Sequence, residues 1–144
     1  MSETFVEKII GGRITDITRV CDLVSLRVFL PSKKVVYIHI QTFFRVLWKD
    51  GLIISSEDMY RCAEWGDKEH FKWDVPGNSI FDDSIKKHLD IIKKSHIIGV
   101  TKQTAGDLII FLEDDLSLQL LVNTVESEEK YRIFDNTGSL VFNS

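Results

Sequence analysis

Apolar side chains fall at every second position over most of this chain and at helical spacing over one stretch. The alternation is clearest from Gly106 to Val122. There an apolar run meets an acidic turn at Glu113-Asp114-Asp115, and Leu116, Leu118, Leu120 and Val122 then alternate with Ser117 and Gln119. That pattern predicts a β-hairpin with one buried face. The first half carries a paler version. Residues 14–20 alternate imperfectly, as an edge or bulged strand does. Val24, Leu26, Val28 and Leu30 then share a face up to Pro31, which cannot donate to a ladder. Residues 35–41 return, residues 42–48 follow, and Asp50-Gly51 is a hairpin turn before the short strand 52–54. In the second half, residues 97–101, 130–134 and 140–142 complete the predicted strands.

The middle differs. Ser55-Ser56-Glu57-Asp58 has the hydroxyl and acids of a helix start, which predicts a turn or two of helix to about Glu64. Residues 65–73 show no period. Ser79 and Asp82 have capping-box spacing, and Phe81, Ile85, Leu89 and Ile92 recur on one face. With Lys93 and Lys94 at the negative end, a helix is predicted over 79–94. At the N-terminus, residues 5–10 read as a short strand or a helical turn, broken by Gly11-Gly12.

The two halves echo each other. Asp22-Leu23-Val24 matches Asp107-Leu108-Ile109, Phe44-Arg45-Val46 matches Tyr131-Arg132-Ile133, and the turns at Gly51 and Gly138 correspond. We therefore expect an α+β fold of two duplicated antiparallel β-meanders, forming a curved sheet or a sandwich, with the 79–94 helix on the apolar face. The domain is single, residues 1–144, with a pseudo-repeat of 12–55 and 96–144 linked by the helical segment 56–95. Neither meander can bury its apolar face alone. The echo also predicts Arg–carboxylate pairs at the sheet margin, formed by Arg45 and Arg132 with Asp22 and Asp107.

Composition narrows the function classes. At 144 residues with 44% hydrophobic and 28% charged side chains, the chain can bury a core without staples. A net charge of −4 argues against a nucleic-acid partner. No apolar run reaches the roughly 20 residues of a membrane span, and the acidic start MSETFVEKII does not read as a signal peptide. The expected compartment is the cytoplasm, with Cys21 and Cys62 as free thiols.

Chemistry is thin. His39, His70, His88 and His96 make no HxxxH or HExxH pattern, so no metal is predicted. The paired acids sit where turn geometry or a helix dipole explains them, and no phosphate loop or nucleophile elbow occurs. No catalytic residue and no cofactor is assigned, and the expectation is a protein that is not an enzyme. Trp48, Trp65, Phe71 and Trp73 gather around the irregular middle, beside Glu57, Asp58, Glu64, Asp67 and Glu69. Exposed tryptophan is a common anchor at interfaces, and acids speed encounter with a basic partner. The candidate partner-binding residues are Glu57, Asp58, Trp65, Trp73, Glu126, Glu128 and Glu129.

The segment Phe71–Asp83, FKWDVPGNSIFDD, together with GDLIIF from Gly106 and EKYRIF from Glu129, resembles a family of small bacterial β-rich domains of unknown function. Some of its relatives are similar to immunity-type proteins found beside polymorphic toxin genes. The resemblance covers most of the chain, though through short structural motifs, and the family pattern has tryptophan where this chain has Tyr131. It implies no catalytic residues. It does imply a non-catalytic protein-binding domain, of the kind that neutralises a basic toxin domain. The alternative is a small-ligand or weakly catalytic domain with a pocket between sheet and helix, drawing on His39, Tyr37 and Asp22. A homodimer through an edge strand, 14–20 or 97–101, is a further expectation.

Overall fold

The computed structural model describes residues 7–125 and 130–143, the last two by backbone alone. Glu126, Glu128 and Glu129, and Phe5 and Val6 of the stretch expected at 5–10, lie outside the described residues, while residues 7–10 form a helical turn. The expected α+β class is what is found: two antiparallel five-stranded sheets and one main helix.

The strands are β1 (Arg13–Val20), β2 (Leu23–Phe29), β3 (Val35–Ile40), β4 (Phe43–Trp48) and β5 (Gly51–Ser55) in the first half. In the second they are β6 (Ile97–Lys102), β7 (Leu108–Leu112), β8 (Leu116–Leu121), β9 (Tyr131–Asp135) and β10 (Leu140–Asn143). The first sheet has the order β1-β2-β3-β9-β10 and the second β5-β4-β8-β7-β6. Each sheet thus takes three strands from one half and two from the other. Two residues, Gln41 and Thr42, separate β3 from β4, so the chain turns from one sheet into the other without a long loop.

The sheets are built alike in detail. The buried row Leu26–Ile38–Ile133 crosses β2, β3 and β9, and Ile110–Leu118–Val46 crosses β7, β8 and β4. Bulges recur between Ile14 and Asp16 in β1 and between Ile97 and Gly99 in β6. On the outer faces, Arg132 stands across from His39 and Arg45 across from Gln119, as the expected match of β4 with β9 requires. The expected match of Asp22 with Asp107 slips by one residue, since the buried Leu108 is placed like Val24, not like Leu23.

The helix α1 (Ile80–Lys94) forms as its sequence predicts. Ser79 Oγ accepts the Asp82 N–H at 3.0 Å and Asp82 reaches back to the Ser79 N–H, a closed capping box. Phe81, Ile85 and Ile92 are buried, and the helix packs on β1 and β5, the margins of the two sheets. By contrast, the helix expected from Ser55 to Glu64 shrinks to one 3-10 turn, Ser56–Tyr60. Ser55 makes no cap bond, the Ser56 hydroxyl takes the Phe44 N–H, and Cys62 bridges to Ser79 instead of continuing a helix.

Candidate functional site

Between the 3-10 turn and the Ser79 cap of α1 lie eighteen residues, 61–78, without a regular element. Loops of this length are uncommon in compact domains unless they have work to do. This one is tied at its base by Ala63 N–H to the Asn78 carbonyl and Ile80 N–H to the Arg61 carbonyl, both 2.8 Å. Gly66 sits so close to Cys62 that a Cβ there would lie 2.8 Å from the sulfur, which is why the turn is glycine.

The main fastening is Arg19 of β1, whose side chain is 1% exposed. Its position is inward, the phase of Ile17. Its Nε and Nη2 grip the two carboxylate oxygens of Asp82 at 2.8 Å each. Nη1 donates to the carbonyls of Cys21 (2.8 Å) and Trp73 (2.7 Å), and Nη2 to that of Val75 (3.4 Å). A guanidinium has five N–H donors, and here each has an acceptor. Asp82 also accepts from the Gly77 N–H and the Ser79 hydroxyl, 2.8 Å each. Burial alone would raise the Asp82 pKa, but the bonds from Arg19, Gly77 and Ser79 overcome it and hold it at about 2. One ion pair therefore joins β1, the irregular loop and the helix start.

The predicted pairs of Arg45 or Arg132 with Asp22 or Asp107 are not what the described contacts show. Arg45 Nε donates to Gln119 Oε1 at 2.7 Å, and Asp107 accepts the Val122 N–H at 2.7 Å. Their residues face outward on a sheet, where water competes, whereas Arg19 faces inward and must be satisfied by protein. An arginine in the buried phase of an alternating strand was the available sequence signal.

With its backbone fixed, the loop displays its aromatics. Trp65 is 61% exposed, with its indole N–H held by Asp83 at 3.1 Å. The rings of Trp73 and Tyr60 lie 4.9 Å apart, tilted by 55°, and both are exposed. Glu57 is exposed and Asp58 half-buried on the 3-10 turn that ends at Tyr60. So four predicted residues, Glu57, Asp58, Trp65 and Trp73, belong to this loop and its entry, and Tyr60 joins them.

The residues of the expected pocket are elsewhere. Tyr37 and His39 lie on the outer face of β3, the side away from the core, with the His39 ring 4.8 Å from Phe134. Burial, and then the Arg132 charge, lower the His39 pKa, so the imidazole is neutral at pH 7. Asp22 borders a separate hollow with Leu23 and Gln41. At the helix start, a cleft of about 340 Å³ is bounded by Ile17, Pro76 and Ile85, and its charged groups, Arg19 and Asp82, are bonded to each other. Among the described residues no three His, Cys, Asp or Glu side chains are grouped to hold a metal, and no helix is long and apolar enough to cross a membrane.

No family model, curated protein or solved structure matches the chain.

Proposed function

We propose that this chain is a non-catalytic protein-binding domain whose 61–78 loop grips a basic partner in the cytoplasm. The toxin-neutralising role that the resemblance implies is the specific form of this reading. The supporting observation is the saturated Arg19. A buried arginine gives two of its five donors to carbonyls of a loop that itself stays largely exposed, and two more to the carboxylate at the helix start that closes the loop. Ordering eighteen residues costs of order 1–2 kcal/mol each in backbone entropy. When that cost is met in the free protein, binding does not have to meet it again. What is held ready is a set of aromatic anchors, Tyr60, Trp65 and Trp73, in a segment whose acids outnumber its bases. From Glu57 to Asp74 there are six acids (Glu57, Asp58, Glu64, Asp67, Glu69, Asp74) and three bases (Arg61, Lys68, Lys72).

The test is co-purification of the tagged chain from its native host, followed by titration of the recovered partner. Trp73→Ala and Trp65→Ala should each weaken binding by roughly 30-fold or more, the range of an aromatic hot spot of about 2 kcal/mol. Their melting temperatures should stay near that of the parent chain. Recovery of no partner, or of one whose affinity ignores both tryptophans, would refute the proposal.

A further inference from the structure

We propose that the uncovered margin of the second sheet, β6 with the cleft beside it, docks an extended basic segment of a partner protein as an added strand. The proposal is independent of the 61–78 loop, which lies against the other sheet's margin.

The strand is already paired for a short way on its outer side. The Gly11 N–H donates to the Ile97 carbonyl at 2.7 Å, the Ile97 N–H to the Gly12 carbonyl at 2.8 Å, and Arg13 bridges to His96. From Ile98 to Lys102, β7 is the one strand paired with β6 among the described residues. An added strand would therefore continue a pairing that the chain itself begins. Exposed edges are commonly guarded by charge or proline. Ile98-Gly99-Val100-Thr101 has neither, the charge coming only at the far end with Lys102, although the bulge at its start gives some protection.

The floor next to this edge suits the alternate side chains of such a strand. Ile98 is 60% exposed and Phe111 40%. Gly99 lies opposite Phe111 and leaves the ring open, since even a Cβ there would reach no closer than 3.8 Å. A cleft of about 620 Å³ extends from Ile98 and Phe111 past Leu116 and Ser117 to Lys49, Asp50 and Asp115. Edge pairing gives affinity and the alternate pockets give selectivity in this mode of recognition.

Charge selects the occupant. Asp50 and Asp115 border the cleft, and Asp114 belongs to the same turn as Asp115, while Glu113 of that turn is bonded to His96. Lys49 is the basic residue of the lining, and its ammonium lies over the Trp48 ring at 4.9 Å. A second copy would bring two acidic turns and two net charges of −4 together. An extended segment that lays alternate apolar residues on the floor and carries lysines at the end beside the acidic turn meets the floor with hydrocarbon and the rim with opposite charge.

The probe is a capped heptapeptide of two lysines followed by alternating valine and threonine, added to the full chain and followed by amide hydrogen exchange and NMR. Exchange within residues 98–102 should slow at least tenfold, with shifts at Ile98, Phe111 and Ser117. Ile98→Lys, and separately Thr101→Lys, should weaken binding tenfold or more, while Trp65→Ala and Trp73→Ala leave it unchanged. Absence of protection in β6 at millimolar peptide would overturn the proposal. So would equal binding of the same heptapeptide with glutamates in place of its lysines, or a dimer of the free protein that Ile98→Lys dissociates, which would give the margin to a second copy.

Discussion

β1 and β6 hold the same place, each the first strand of its half and a margin of its sheet, and each is bulged after an equivalent inward residue. One is roofed and, among the described residues, the other is bare. In β1, Ile17 opposite Leu26 and Arg19 opposite Val24 are buried beneath α1 and the 61–78 loop. In β6 the corresponding residues are Val100 opposite Ile110, half-buried, and Lys102 opposite Leu108, exposed. The alternation of the two strands is nearly the same, so it does not determine which margin is covered. The cover is decided by what can satisfy the basic residue at the strand's end. Arginine presents a planar fork that two carboxylate oxygens and three carbonyls can saturate, and lysine offers a compact charge that prefers water.

The largest test of this contrast removes the fork. Arg19→Met should destabilise the fold by about 3–5 kcal/mol, because it leaves Asp82 buried without its counter-charge. Lys102→Met should change stability by less than about 0.5 kcal/mol. Chemical denaturation measures both, and similar losses at the two sites would erase the distinction.

Acid gives the next effect. The Asp82 pKa is held at about 2 against an ordinary 3.8, and its side chain is 12% exposed. A depressed folded pKa stabilises fully above the ordinary value, and that contribution disappears as pH falls from 3.8 through 2. The amount is of order 2 kcal/mol. Hydrogen exchange in this window should show the 61–78 loop loosening while β6 and β7 stay protected. In Asp82→Asn the pH dependence over the same window should flatten.

The smallest effect lies on the second sheet. Asp107→Asn should cost under about 0.5 kcal/mol, since the amide oxygen can still accept the Val122 N–H and no arginine is lost. A loss of several kcal/mol in thermal denaturation would restore the outward arginine pair that the sequence echo led us to expect.

Much of this fold is readable from residue order. The period-two runs give the strands to within a residue or two, as at Ile97–Lys102, and Ser79 with Asp82 marks the helix start. Alternation says which face of a strand is buried, but not which strand lies beside it. The exchange of β4–β5 and β9–β10 between sheets was hidden for that reason, although the short link at Gln41-Thr42 produces it. At the candidate site, Trp65 and Trp73 were visible as aromatics in an aperiodic stretch. Arg19 showed only as an arginine in a buried phase, and its partners were not legible, because its five acceptors come from segments two to 63 residues away and three of them are backbone carbonyls with no side-chain signature.

The interleaving of the two sheets bears on how the chain can be made. Arg45 in β4 meets Gln119 in β8, 74 residues later. A ribosome that has released only the first half has therefore released two strands whose neighbours do not yet exist. Synthesis runs at about 5–20 residues per second, so β4 waits several seconds with the edge that β8 will pair left open. Cutting the gene at the linker would yield two fragments, each short of neighbours that only the other supplies.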